Sequence, residues 1–222
     1  MSLHLMRDLE NLKREILTMG GMVEEALDRS INAVMNRDAD LAREVLHGEE
    51  AINTKELEIS EEALKVLALH QPVAVDLRYV IAVIMVNNDL ERVGDLAENI
   101  AERTLDMARL SEEPVPYDLN QMAETVRLMV QESLDSLVNQ DVQKARRVCE
   151  LDDEVDDLHR EVYRIMRALM KEDPESVDRA THVISTSRAL ERVADHATNI
   201  AEDVVFMVEG EIIRHGGIEE AE

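Results

Sequence analysis

Apolar residues recur at positions i, i+3, i+4 and i+7 along nearly the whole chain, which is the spacing of amphipathic helices. The first apolar stripe is interrupted at residues 36–38, where Asp38 can cap a second helix. The second stripe ends before Pro72, because proline disfavours helical geometry in the residue that precedes it. A third stripe runs from about Val75 to Leu110. The pattern therefore predicts three long helices in the first half of the chain.

The same pattern returns in the second half. Residues 111–117 include two prolines and are the natural linker. Three further stripes follow, and they predict helices at about 118–139, 142–171 and 175–214.

The two halves also match residue by residue. Residues 90–102 and 190–202 are identical at ten of thirteen positions, at a spacing of 100. Residues 22–28 resemble residues 129–135 at a spacing of 107, and the segments between match at a spacing of 103. A change of three or four residues is about one helical turn, so the inward faces of the helices can stay aligned. We infer an internal duplication.

These observations predict an all-α protein of six long helices, arranged as two three-helix bundles related by a pseudo-twofold axis. The predicted units are a first bundle at 1–110, a linker at 111–117, a second bundle at 118–215 and an acidic tail at 216–222. Helices of about 30 residues would make each bundle about 45 Å long.

Composition agrees with this architecture and narrows the function. Apolar residues make up 45% of the chain and aromatic residues only 2%, so the core must be aliphatic, which together with abundant Glu favours helices. The formal net charge of −25 disfavours nucleic acid and anionic lipid as partners. It is compatible with metal cations or a basic protein partner.

Three features predict a cytoplasmic location. Cys149 is the only cysteine, so no intramolecular disulfide can form, which is typical of a reducing compartment. The first residues contain no apolar stretch typical of a signal peptide. The longest apolar run, residues 80–86, is far shorter than the about 20 residues of a membrane span.

Candidate chemistry begins in the third helix of each half. There, two acidic residues stand four apart, so they lie on one helix face and repel by about a few tenths of a kcal/mol. Repulsion that is retained in both copies indicates that a cation relieves it. An asparagine one turn later can add a carbonyl oxygen, and in the second half a neighbouring histidine, His196, can add a nitrogen. The rows are Glu91, Asp95 and Asn99 in the first half, and Glu191, Asp195 and Asn199 in the second.

A second polar row lies in the middle helix of each half. It comprises Asp152, Asp156 and His159 in the second half, and Glu49, Asn53 and Glu56 at the equivalent positions in the first. If the middle and third helices lie side by side, the two rows form a site for a hard or borderline cation: Fe, Mn, Zn, Mg or Ca. Several carboxylates can bridge more than one ion, so a multinuclear cluster is predicted. Because Asn53 replaces an acid, the first cluster is expected to be weaker or smaller.

Several segments together resemble the PhoU family. They are L-E-R-V-G-D-x-x-x-N-I at 90–100, its copy at 190–200, Q-P-V-A-V-D-L-R at 71–78 and V-E-G-E at 208–211. The resemblance implies two three-helix bundles whose E/D-x-x-x-D pairs hold multinuclear metal clusters, with iron as the favoured metal and zinc or manganese as alternatives. The matching positions are Glu49, Glu91, Asp95, Asp152, Asp156, Glu191 and Asp195.

The function implied by the resemblance is regulatory and needs no enzymatic step. Such proteins restrain a high-affinity phosphate ABC transporter when phosphate is plentiful, and they link it to a sensor histidine kinase. The implied partners are the nucleotide-binding subunit of the transporter and the kinase. Contact with the membrane complex would be peripheral, no nucleic acid is involved, and a homodimer remains open.

Two alternatives remain. A ferritin-like di-metal carboxylate oxidase would use acid-x-x-His motifs, which occur here as Glu44/His47 and Asp156/His159, although not at equivalent positions of the repeat. A metal-free helical adaptor would use its acids only for solubility.

Overall fold

The computed structural model describes residues 3–110 and 118–213, and within those ranges the chain forms six long α-helices and no strand. The predicted all-α class is therefore confirmed. A short 3₁₀ turn, Pro174–Ser176, precedes the last helix. The helices are α1 (Leu3–Asn36), α2 (Ala39–His70), α3 (Ala74–Met107), α4 (Asn120–Asn139), α5 (Val142–Glu172) and α6 (Val177–Glu209).

The helix breaks lie where the sequence predicts them, and equivalent aspartates cap the middle helices. Asp38 accepts hydrogen bonds from the backbone N–H of Asp40 and Leu41, each at 3.0 Å. Asp141, which is 103 residues later, accepts one from the backbone N–H of Lys144 at 3.0 Å. Each cap satisfies donors that the first helical turn leaves without partners.

Two predicted helix ends are wrong, those of α6 and α3. Helix α6 ends at Glu209 rather than near Arg214, because Gly210 has a left-handed φ of 78° and donates its N–H to the Phe206 carbonyl at 2.9 Å. Helix α3 ends at Met107, three residues before the predicted end. The predicted linker (111–117) and acidic tail (216–222) lie outside the described residues, so the domain limits stay predictions.

Helices α1, α2 and α3 pack together as one bundle, and α4, α5 and α6 pack as the other. The bundles meet where α3 contacts α6 and where α1 contacts α4. A single core of buried aliphatic and methionine side chains continues through both bundles. At the α1–α4 contact, a Cβ atom added to Gly20 would lie 3.0 Å from Leu134 Cδ2, so a larger residue would force the Leu134 side chain to shift by a few tenths of an ångström. None of the described helices combines the length and the apolarity that a membrane crossing requires.

Candidate metal centre

The first acidic cleft lies between α2 and α3. Within the described ranges, one group of three ligand residues has its candidate atoms within 4.8 Å of one another: Glu49 of α2 with Asp95 and Glu98 of α3. All three residues are partly buried. Their separation is a distance that two metal–oxygen bonds of about 2.4 Å can bridge, so one cation can contact all three carboxylates.

Glu98 was not among the predicted ligands. The prediction followed only the i, i+4 spacing, whereas Glu98 follows Asp95 by three residues and Glu91 by seven. Both of those spacings also lie on the same helix face. The signal was therefore present in the sequence, in the i+3 and i+7 positions.

The carboxylates of the first cleft destabilise one another in the charged form. Burial raises the pKa of Glu91, and the Asp95 charge adds to this, while Arg92 opposes it. Burial also raises the pKa of Glu98, with Glu49 contributing next. Arg92 is exposed and makes only long ion pairs, 3.5 Å to Glu91 and 3.6 Å to Asp95. The cleft therefore favours binding of a proton or a metal cation.

The two asparagines of the first cleft have different contacts. Asn53 donates its side-chain N–H to the Glu49 carboxylate, so it links to the acidic row. Asn99 is exposed and donates its side-chain N–H to the Asp95 backbone carbonyl at 2.8 Å. Its role as a ligand stays a prediction.

The second acidic cleft lies between α5 and α6. Burial raises the pKa of Asp152 from 3.8 to about 6, and the Asp195 and Asp156 charges add to the shift. Burial, followed by the Asp156 charge, raises the pKa of Asp195. Burial and then the Asp195 and Asp156 charges raise the pKa of Glu191. The two predicted rows therefore face each other across the pair of helices, as in the first cleft.

Each cleft contains at least four acids, and three positions differ between the clefts. In the first cleft Asn53 stands where the second has Asp156, and in the second cleft Thr198 stands where the first has Glu98. The prediction of a smaller first cluster considered the missing acid at Asn53 but not the additional acid at Glu98. Glu56, whose charge contributes to the raised pKa of Glu91, stands in the first cleft where the second has His159. The acids are Glu49, Glu56, Glu91, Asp95 and Glu98 in the first cleft, and Asp152, Asp156, Glu191 and Asp195 in the second.

His159 is held in the form that binds metals. Its Nδ1 lies 2.9 Å from the Ser187 hydroxyl oxygen, and that hydroxyl donates to the Ile184 carbonyl at 3.0 Å. The Ser187 oxygen is therefore the acceptor, which places the proton of His159 on Nδ1 and leaves the lone pair on Nε2. Burial, with the nearby Arg188 charge, lowers the pKa of His159, which keeps the ring neutral at pH 7. Neutral imidazole with a fixed tautomer is the usual ligand form.

Asn199 and His196 lie elsewhere. The side-chain N–H of Asn199 donates to Asp89 Oδ1 at 3.2 Å, and His196 Nδ1 lies 2.8 Å from the same oxygen. Asp89 belongs to α3 and is only 6% exposed. The structure thus places both residues at the contact between the bundles, where the His196 charge still acts on Asp195. Their roles as ligands stay predictions.

The donor set fits a metal centre. At least four carboxylates in each cleft, with an imidazole beside the second, are the ligands of hard and borderline cations such as Fe²⁺, Mn²⁺ and Zn²⁺. The other acid-x-x-His pair does not contribute, since Glu44 pairs with Arg29 at 3.4 Å and His47 Nδ1 contacts the Arg43 carbonyl at 2.5 Å, both on exposed surface.

Comparison with known proteins assigns this chain to a family. The sequence model of the PhoU domain matches residues 16–104 and 119–204, one match in each bundle. A phosphate-specific transport system accessory protein PhoU homolog from Aquifex aeolicus is 39% identical over 97% of this chain and 98% of its own length. The homolog from Pseudomonas aeruginosa is 37% identical over 95% of this chain and 88% of its own.

Solved structures agree. The crystal structure of PhoU from Pseudomonas aeruginosa superposes with a TM-score of 0.88 at 36% identity, covering 92% of this chain and 98% of that one. The phosphate transport system regulatory protein PhoU from Streptococcus pneumoniae gives a TM-score of 0.87 at 28% identity, covering 94% of this chain and 98% of that one.

Proposed function

This chain belongs to the PhoU family, and we propose that it is a metal-binding regulator of phosphate uptake without enzymatic activity. In this proposal it restrains a high-affinity phosphate ABC transporter when phosphate is plentiful and keeps the associated sensor kinase inactive. It acts in the cytoplasm, at the periphery of the membrane complex. The names of its relatives, which are accessory or regulatory proteins of phosphate transport, support this role.

One observation supports the proposal that this chain binds metal. Two clefts at equivalent places in the repeat each hold at least four carboxylates, which are partly buried except for the exposed Asp195. Burial and neighbouring charges raise the pKa of Glu91, Glu98, Asp152 and Asp195. A bound cluster, of iron first and of zinc or manganese as alternatives, would supply positive charge that offsets this repulsion. The residues of α2 and α3, and those of α5 and α6, would then be held together by shared ligands.

Metal analysis tests this part. We expect protein purified without chelators to contain several ions per chain, and Asp156→Asn with Asp195→Asn to lose those of the second cleft. Asp95→Asn with Glu98→Gln should lose those of the first. Asp157→Asn is the control, because this carboxylate is 74% exposed and pairs with Arg160. Unchanged metal content in both double variants would overturn the site assignment, and protein without metal from the start would support the metal-free adaptor.

The regulatory part has its own test. Deleting the protein in its host should switch on a phosphate-starvation reporter in phosphate-rich medium, and the wild-type chain should restore repression. The nucleotide-binding subunit of the transporter and the sensor kinase should co-purify with the tagged chain. A reporter that stays repressed after deletion would contradict the role.

Two further measurements address the remaining alternatives. Oxygen consumption after addition of Fe(II) would indicate the ferritin-like oxidase, for which the clefts between two helices offer no four-helix interior. Light scattering would establish whether the chain forms the homodimer that the resemblance leaves open.

A further inference from the structure

A basic stripe follows the outer face of α5 in this strongly acidic protein. Its four members occupy positions i, i+4, i+7 and i+11, so they lie on one helix face over roughly 16 Å. All four are exposed; the stripe consists of Arg160, Arg164, Arg167 and Lys171. Tyr163, which is 51% exposed, lies beside it.

The stripe is not a consequence of the duplicated fold. The equivalent positions of α2, which are 103 residues earlier, carry Leu57, Glu61, Leu64 and Ala68. Leu57 and Leu64 are each 62% exposed. The same face of the repeat is thus basic in one bundle and largely apolar in the other. Neither helix formation nor packing of the core therefore requires basic residues on this face.

The charges of the stripe are only partly neutralised within the chain. Arg160 contacts Asp157 at 2.6 Å and Asp156 at 3.6 Å, and Arg164 contacts Glu161 at 3.4 Å. Arg167 and Lys171 make no ion pair with any residue in the ranges 3–110 and 118–213. Exposed ion pairs such as those of Arg160 and Arg164 contribute little to stability and exchange readily. At least two cations, and up to four, are therefore available to an outside partner.

We propose that this basic stripe is a docking surface for a short acidic segment of a partner protein that is neutral or basic overall. The stripe is bounded by acids at both ends, Asp153 and Asp157 on one side and Glu172 on the other. A lipid bilayer or a nucleic-acid duplex extends beyond 16 Å and would meet those acids, whereas a short segment would not. A second copy of this chain would bring another net charge of −25.

Screening makes such local recognition effective. At physiological ionic strength the Debye length is about 8 Å, so an acidic segment on the stripe is governed by the nearest charges more than by the distant surplus of acids. This inference depends on the accessory role proposed above in one respect, because it assumes that the partner is a protein.

The test uses the intact chain and a labelled helical peptide. The peptide has glutamates at i, i+4, i+7 and i+11 on one face and an equal number of lysines on the opposite face, so that its net charge is zero. A scrambled peptide with the same composition is the first control. We expect fluorescence anisotropy to show binding of the striped peptide that weakens with salt and exceeds binding of the scrambled peptide by about tenfold.

Matched variants locate the binding. Arg164→Glu with Arg167→Glu should weaken binding by more than about tenfold. Arg14→Glu with Arg43→Glu makes the same change in charge at two other exposed arginines and should leave binding within about twofold. Circular dichroism verifies the helical fold of each variant, and Arg164→Gln with Arg167→Gln, which introduces no acid, should give an intermediate loss.

Other outcomes overturn the proposal. Equal losses in both charge-reversal variants would indicate a response to overall charge alone. Tighter binding of phosphatidylserine vesicles or of a short DNA duplex than of the peptide would assign the stripe to a different class of ligand. Salt-sensitive self-association in sedimentation would assign it to a second copy. None of these measurements involves the transporter or the kinase, so failure here would leave the regulatory role intact.

Discussion

Replacing Asp152 with Asn should stabilise the metal-free protein and destabilise the metal-bound one. In the folded chain without metal, the pKa of Asp152 is raised from 3.8 to about 6, mainly by burial and then by the charges of Asp195 and Asp156. The charged form is therefore disfavoured by folding. Asparagine resembles the protonated carboxyl group in shape and removes that cost.

The magnitude and the pH dependence follow from linkage. A rise in pKa from 3.8 to about 6 corresponds to roughly 3 kcal/mol, and solvent screening of a half-buried carboxylate reduces this to about 1.5 kcal/mol. The folded state binds more protons than the unfolded state between pH 3.8 and 6, so stability falls as pH rises through this window and the penalty is complete above it. The Asn variant should gain about 1.5 kcal/mol at pH 7 and nothing below pH 4.

Urea unfolding with a chelator present measures the free energy of unfolding of the parent and the Asn variant at pH 7 and below pH 4. The same titration with added Mn²⁺ measures it for the metal-bound protein. With Mn²⁺ the order should reverse, because a ligand that binds only the folded state stabilises it and the variant binds it less tightly. Asp157→Asn, at an exposed site, should change stability by less than about 0.5 kcal/mol under every condition. A variant that is less stable than the parent at pH 7 without metal would refute the reasoning.

Three further predictions concern the fold and the first cleft. Gly20→Val should destabilise the protein by about 1–3 kcal/mol in urea unfolding, because the added Cβ would lie 3.0 Å from a Leu134 methyl. Gly21→Ala, whose added Cβ meets nothing within 4 Å, should stabilise it by about 0.5–1 kcal/mol. Equal effects would contradict the close α1–α4 approach. Asp38→Ala should cost about 1 kcal/mol through loss of the α2 cap, and Asp38→Asn much less; equal losses would contradict capping. Glu98→Gln alone should lower metal content, and an unchanged content would remove Glu98 from the first site.

The sequence was sufficient for much of the fold, because its signals are local. Helix breaks at residues 36–38 and 140–141 depend on capping aspartates and changes of hydrophobic pattern, both of which are visible along the chain. The end of α6 was missed because apolar residues continue through Ile212 and Ile213, so the periodicity extends past the left-handed Gly210 that ends the helix. Apolar periodicity alone cannot detect such a change in backbone direction.

The candidate site was predicted in outline, and helix geometry explains why the placement of two residues differs from the predicted rows. At about 100° per residue, a residue at i+4 is rotated by about 40° and one at i+8 by about 80°, whereas one at i+7 is rotated by only about 20° in the opposite sense. Asn199, at i+8 from Glu191, has therefore turned toward the other bundle, where it contacts Asp89. Glu98, at i+7 from Glu91, has stayed in line with the row. Following the i+4 spacing twice therefore selects Asn199, which contacts Asp89, and omits Glu98, which lies beside Asp95 and Glu49.

The exchange of acids between the clefts explains what the duplication preserves. In the first cleft one carboxylate comes from α3, at Glu98, and Asn53 of α2 supplies an amide that binds Glu49. In the second the corresponding carboxylate comes from α5, at Asp156, and Thr198 of α6 is neutral. The totals are not identical, because Glu56 adds a fifth acid to the first cleft where the second has His159. A cation held between two helices accepts a carboxylate or an imidazole from either side, so an acid that changes helix but stays in its cleft favours a shared ligand over solvation.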